Sequence, residues 1–249
     1  MKILIMMLLV MICFGCNQKT TQKQNTPIMV LTQLPGKYNG QEDVWENPDS
    51  NYDSYASFGG DHYATFSRLD KNGNSLGLGL INKKGKVIIQ PIYSSIAIQI
   101  KMENDIFIVN DSLHNYGIVN NQGVELVKPQ YDFIHYGNSS ADTIDTRLGL
   151  IKVSKNEKVG YLNRKTGQVV VPVKYDDLFV MDKNLIMFEV LRHGDDGNLT
   201  GNWGIMDFNE KIISPPRFSY PDRLKGGKTT LIAEGEEYFV YEDGRINKK

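Results

Sequence analysis

The sequence predicts an all-β repeat protein. Three observations carry this. One phrase recurs four times at near-constant spacing; each copy sets β-branched and aromatic runs between turn residues; and no amphipathic helical period follows the apolar leader. The phrase is plainest over 78–96, LGLINKKGKVIIQPIYSSI, and returns at Tyr116, Val159 and Trp203. Its glycines, Gly79, Gly117, Gly160 and Gly204, lie 38, 43 and 44 residues apart. Its prolines, Pro91, Pro129, Pro172 and Pro215, keep step at 38, 43 and 43. Tyr93, Tyr131 and Tyr175 follow the first three prolines, and Phe218 takes that place in the fourth copy.

Each element of a copy has a physical reading. The runs LGLIN, YGIVN, VGYLN and WGIMD are short strands around a glycine. The residues after them, KKG, NQG, RKTG and FNE, are turn chemistry, and glycine in three of the four supplies a positive φ at no steric cost. KVIIQP, VELVKP, QVVVP and KIISP form the next strand. Proline cannot donate to a ladder, so it is expected at that strand's end or on an edge. A strand precedes each glycine, as in DIFIVND and LIMFEVL, and a fourth stretch such as SSIAIQIK or DDLFVMD follows each tyrosine.

A unit is therefore three or four antiparallel strands in about 40 residues, near 62–100, 105–140, 148–182 and 185–220. Half-units at 45–60 and 230–249 read as one split unit. The expectation is a five-bladed, propeller-like ring closed by the two termini over 28–249, because closure removes exposed sheet edges. An open β-hairpin solenoid capped by half-units is the alternative.

The phrase resembles the WG-repeat family, also called KWG repeats. Trp203-Gly204 holds the defining pair, while Leu78, Tyr116 and Val159 stand in the tryptophan place. The family's YD is kept at Tyr131-Asp132 and Tyr175-Asp176 and becomes YS at Tyr93-Ser94. The resemblance spans about residues 50 to 244 and implies a repeat architecture, with little bearing on function.

The leader is a different kind of sequence. Lys2 precedes an unbroken apolar stretch over 3–14, too short to cross a bilayer as a helix, which needs about 20 residues. It has the charge and length of a signal peptide over 1–15, followed by a polar tether over 16–27. Gly-Cys at Cys16 resembles the bacterial lipoprotein signal, whose cysteine is lipidated after cleavage. Cys13 and Phe14 stand where that signal prefers leucine and a small residue. The resemblance implies a lipid anchor at Cys16. It also implies a place in the cell envelope, on the outer membrane facing the periplasm, since no acid stands in the residues directly after Cys16, NQKTTQKQ, to direct surface export. The cell surface is the alternative.

Composition excludes several functions. A net charge of -1 without basic blocks argues against nucleic acid. Both cysteines lie in the leader, so the body has no disulfide framework and no thiol nucleophile. His62, His114, His135 and His193 show no metal-ligand spacing, and no cofactor is implied. Asp70, Asn72 and Asn74 alternate as in a calcium loop but lack its closing glutamate, so a hairpin turn is the better reading. No GxSxG elbow or P-loop occurs, and the adjacent acids Asp176-Asp177 and Glu236-Glu237 sit beside turns.

The recurring aromatics Tyr116, Tyr131, Tyr175 and Trp203 could line a glycan face, but residues placed by a repeat more often fill its core. The expected function is a non-catalytic binding or scaffolding module whose partner is an envelope protein or a glycan. Specificity is expected in the unequal segments 101–115, 135–148 and 191–202. A carbohydrate-active hydrolase and a toxin- or immunity-associated repeat protein are the alternatives.

Overall fold

The structure, a computed structural model, describes residues 30–97, 106–135, 144–193 and 199–249. The expected signal peptide and tether, with Cys16, lie outside these residues. So do 98–105, 136–143 and 194–198, which take much of the three segments where specificity was expected. Leu31–Lys249 forms one compact unit.

Among the described residues the strands form six antiparallel sheets, each following chain order. The first holds β1 (Lys37–Asn39), β2 (Val44–Glu46) and β3 (Tyr55–Ser57). The second holds β4 (Tyr63–Leu69), β5 (Ser75–Asn82) and β6 (Val87–Tyr93). The third has four strands, β7 (Ser95–Ala97), β8 (Ile106–Asn110), β9 (Tyr116–Asn120) and β10 (Glu125–Tyr131). The fourth runs β11 (Phe133–His135), β12 (Leu150–Lys155), β13 (Lys158–Asn163) and β14 (Val169–Tyr175), with a one-turn helix, α1 (Ile144–Arg147), ahead of β12. The fifth runs β15 (Leu178–Val180), β16 (Leu185–His193), β17 (Leu199–Asp207) and β18 (Ile212–Phe218). The sixth holds β19 (Lys228–Ala233), β20 (Glu236–Tyr241) and β21 (Ile246–Lys248).

Asparagine or aspartate closes the hairpins. Asn82 Oδ1 accepts the N–H groups of Lys84 and Lys86, and Asn120 Oδ1 those of Gln122 and Val124. A side chain that bonds its own backbone two residues on mimics a turn and competes poorly with regular ladders. Asp70 does the same for Asn72 and Asn74, so the calcium-like stretch is a hairpin turn between β4 and β5.

The glycine and the proline have one cause. In all four copies the register slips at the same place. Leu78 pairs with Tyr93 and Leu80 with Ile89, so three residues of β6, Gln90 to Ile92, bulge opposite Gly79. The same two-against-four step separates Tyr116–Tyr131 from Ile118–Val127, Val159–Tyr175 from Tyr161–Val171, and Trp203–Phe218 from Ile205–Ser214. Bulged residues leave the ladder, so a residue without an N–H loses nothing there. Pro91, Pro129, Pro172 and Pro215 each lie within the bulge. The prolines therefore do not end their strands, as the sequence suggested. They sit inside edge strands, and the chain continues to the tyrosine or Phe218.

Opposite the bulge the backbone folds over the glycine. A Cβ on Gly79 would lie 2.7 Å from the Ile89 carbonyl oxygen. On Gly117 and Gly160 it would lie 2.7 Å and 2.6 Å from the oxygens of Val127 and Val171. On Gly204 it would meet the Phe188 ring at 2.4 Å.

The core lies between consecutive sheets. Leu34 and Trp45 pack on Phe66 and Ile81 between sheets one and two. Leu80 and Tyr93 pack on Phe107 and Val119 between two and three. Ile118 and Val127 meet Ile134 and Leu162; Tyr161 and Val171 meet Ile186 and Met206; Phe218 and Trp203 meet Leu231 and Val240. Full burial of such a side chain contributes about 1.5–3 kcal/mol. Among the described residues no core cluster joins the sixth sheet to the first.

Two expectations are corrected here. The split unit is not one sheet. Residues 230–249 pair among themselves in β19 to β21, and 45–60 pair with β1 in the first sheet, so no shared sheet closes a ring. Each end has turn residues enough to pair locally, and a local hairpin costs less closure entropy than joining the termini. The unit boundaries also shift. The stretch after each tyrosine crosses over: Ser95–Ala97 pairs with β8, Phe133–His135 with β12 and Leu178–Val180 with β16. A sheet is thus offset from its sequence unit by one strand.

A further strand-like contact lies at the start. Gln33 bridges Lys86, Val87 N–H donates to Thr32 O at 3.0 Å, and Leu34 N–H donates to Gly85 O at 2.9 Å. The Gln90 amide holds Leu31 by both its N–H and its C=O. The segment 31–34 thereby covers the outer edge of β6.

Gly117→Ala is expected to destabilise by about 1–3 kcal/mol through overpacking against the Val127 carbonyl. Gly40→Ala, whose nearest neighbour would be Tyr38 at an ordinary 3.6 Å, is expected to stay within about 0.5 kcal/mol of the parent. Urea midpoints at fixed slope measure both.

Candidate functional site

The signature residues occupy one place in each sheet. Trp203 is buried and lies across the ladder from buried Phe218; Val159 lies across from half-buried Tyr175; Tyr116 and Leu78 lie across from buried Tyr131 and Tyr93. The tyrosine hydroxyls reach the next sheet. Tyr93 donates to Glu125 Oε2 at 3.2 Å, and burial with that neighbouring charge pushes its pKa up to about 12. Tyr175 donates to Glu210 Oε1 at 2.5 Å, and burial with the same kind of partner raises it too.

The residue after the aromatic ties each sheet to the next. The N–H groups of Asp53, Ser94, Asp132 and Ser219 donate to the carbonyls of Ser67, Asn110, Ser154 and Ile232, at 2.9–3.1 Å. Three aspartates at this place also bond through their side chains: Asp53 accepts from Ser67 N–H, Asp132 from Asn156 N–H and Asp176 from Leu191 N–H. Turn glycines complete the contact. A Cβ on Gly123 would lie 2.2 Å from Ile88 O of the preceding sheet, and one on Gly167 would lie 2.5 Å from Leu126 O. The signature is therefore consumed in building sheets and joining them.

The candidate site is a group of charges where sheets four and five meet, of which Asp176 alone belongs to the signature. Lys152 on β12 holds Asp177 at 2.6 Å, and Lys158 on β13 holds Asp176. Asp177 O accepts the N–H of Glu189 on β16 at 2.9 Å, bringing a third carboxyl alongside. Glu189 folds over Gly201, where a Cβ would stand 2.0 Å from its Oε1. Burial, then the charges of Asp177 and Asp176, hold the Glu189 pKa above its ordinary value, with Lys152 opposing. His135 faces Lys152 across the strand pair, and burial and that ammonium depress its pKa. Nearby, buried Tyr161 donates to Asp145 Oδ2 of α1 at 3.2 Å.

The sequence reading takes in Asp176-Asp177, and His135 only as a histidine without metal-ligand spacing, and misses Lys152 and Glu189. One signal was present: Glu189 is the single acid in the apolar run LIMFEVL. Chemically the group is a half-neutralised acid patch, with two of its three carboxylates paired to lysines and the third, Glu189, held above its ordinary pKa by burial. Among the described residues no three histidines, cysteines or acids are placed to hold a metal ion.

With this geometry in hand, three stretches, residues 79–98, 116–138 and 160–190, match the family model of the WG containing repeat. These three stretches are similar to the WG repeat. The matched stretches take in the bulges opposite Gly79, Gly117 and Gly160, while the copy with Trp203-Gly204 falls outside them. A search of curated proteins found no match. Similar solved structures include the WD40 beta propeller domain of Doa1, with a TM-score of 0.29 and 12% identity over 86% of this chain and 71% of that one. An uncharacterized protein from Listeria monocytogenes aligns with a TM-score of 0.32 and 10% identity over 84% of this chain and 65% of its own. A eukaryotic initiation factor aligns with a TM-score of 0.35 and 11% identity over 86% and 77%.

Glu189→Gln is expected to stabilise the WG-repeat unit at pH 7 and to be neutral below the ordinary glutamate range. The folded pKa is raised, so the native state favours the protonated form and loses stability as pH rises through that pKa. Thermal midpoints of parent and variant at pH 7 and near pH 4 test this; equal shifts at both would refute it. A second test removes one tie between sheets. Asp53→Ala is expected to cost about 1–3 kcal/mol by leaving the Ser67 N–H without its acceptor.

Proposed function

We propose that the chain is a non-catalytic binding or scaffolding module of the bacterial cell envelope, anchored by lipid at Cys16 on the outer membrane and facing the periplasm. One observation carries the reading. The residues that recur from copy to copy are occupied in sheet building and sheet joining, and none of them converges on a reaction centre. Stacked repeats generate broad faces suited to recognition. The partner is an envelope protein or a glycan. The leader supports the anchor through its charge, its apolar run and its Gly-Cys, and stable attachment takes more than one acyl chain.

Two measurements test it. Cells labelled with radioactive palmitate are expected to label the parent and not Cys16→Ser, and the variant is expected to leave the membrane fraction. Immobilised protein is expected to retain a protein or a polysaccharide from envelope extracts. Enrichment of neither overturns the binding role.

A further inference from the structure

We infer that the outer edges of β14 and β18 dock an extended peptide of a partner protein, added antiparallel as an extra strand. The inference names the surface and the partner chemistry for the module reading above and rests on it.

The chain shows this mode once already. Segment 31–34 lies along the edge of β6 through the Val87–Thr32 and Leu34–Gly85 backbone bonds. Equivalent positions on the other edges follow from the hairpins. Asn82 N–H closes on Lys86 O at 3.1 Å, Asn163 on Gln168 O at 2.7 Å and Asp207 on Lys211 O at 3.1 Å. Backbone groups alternate sides along a strand, so the next residue, Val87, Val169 or Ile212, turns its N–H and C=O away from its own sheet. On β6 those groups meet Thr32 and its neighbours. On β14 and β18 no described residue outside the sheet bonds to them.

The side chains at these positions record the difference. Val87, covered by the added segment, is 7% exposed. Val169 and Ile212 are 58% and 51% exposed. Exposed edges are ordinarily guarded by charge or twisted away. The third sheet follows that rule: β10 has Glu125 at this position, engaged by the Tyr93 hydroxyl. β14 and β18 instead offer an apolar residue beside open backbone groups, which is the combination that strand addition uses.

The occupant is defined by the segment on β6. Its Leu34 is buried to 1% exposure among Trp45 and Val87, so the peptide is extended, uncharged at its centre and apolar at that place. One clamp is missing. Gln90, which grips Leu31 twice, is replaced three residues after Val169 and Ile212 by Pro172 and Pro215. A partner on these edges therefore makes fewer bonds than the resident segment and exchanges.

The test uses the full chain and a blocked synthetic peptide of residues 30–36, VLTQLPG, as the probe. Saturable binding is expected, with hydrogen exchange at the Val169 and Ile212 amides slowed about tenfold or more. Val169→Lys with Ile212→Lys, both at exposed positions, is expected to weaken binding about tenfold or more while circular dichroism and exchange elsewhere stay unchanged. No slowing at either amide overturns the inference. So does slowing confined to Val87, which would mean that the probe only trades places with the resident segment. Undiminished binding by the double variant overturns it as well. Each of these failures leaves an envelope partner captured by another face intact, so this inference and the module reading fail separately.

Discussion

Four of the described sheets depend on a central-strand glycine whose missing Cβ leaves room for a neighbour, in three of them a carbonyl oxygen of the bulged edge strand. Three residues of the edge strand bulge against a single residue of the central strand, and the bulged backbone closes over it. Only glycine leaves room, with clearances of 2.6–2.7 Å at Gly79, Gly117 and Gly160. The bulge then dictates its own sequence, because residues outside the ladder can do without an N–H. It also swings the aromatic that follows into line with the tryptophan place and sends the chain on toward the next sheet. A glycine, a proline and a tyrosine that look like separate signature positions are three consequences of one steric fact.

This explains what the sequence made legible. Gly79, Pro91 and Tyr93 are forced by backbone geometry within one hairpin, so they repeat visibly and mark the strands well. Asn82 and Asn120 are forced by turn closure in the same way. What stayed hidden depends on partners far along the chain. Nothing in SSIAI says that it pairs forward with β8 rather than back with β6. Nothing in LTQL announces a strand addition to β6. The split unit failed for the opposite reason: Pro48 and Tyr52 imitate a unit, but chain entropy favours the local hairpins available at each end.

The candidate site was half legible on the same grounds. Asp176 follows Tyr175 in the repeat and could be seen, though its role is to bond Leu191 N–H across the join. Lys152 and Glu189 come from different sheets and meet only because β15 crosses to the fifth. Their charges show how this fold handles acids generally. Asp43 has its pKa lowered to about 2 by Lys83, the Tyr38 hydroxyl and Gly60 N–H, so it too is held in a structural role. Carboxylates that serve as joints are held in place by the ion pairs and N–H groups around them.

The one-strand offset between sequence unit and sheet bears on how such a chain can change over generations. A duplication or deletion bounded by the recurring phrase moves the piece from one glycine to the next. That piece contains the closing strands of one sheet and the opening two strands of its neighbour. Inserted whole, it arrives already interlocked with whatever follows, since each copy carries the strand its successor lacks. The inherited segment and the folded sheet are different stretches of chain, and the overlap between them is what lets copies be gained without leaving an unpaired seam.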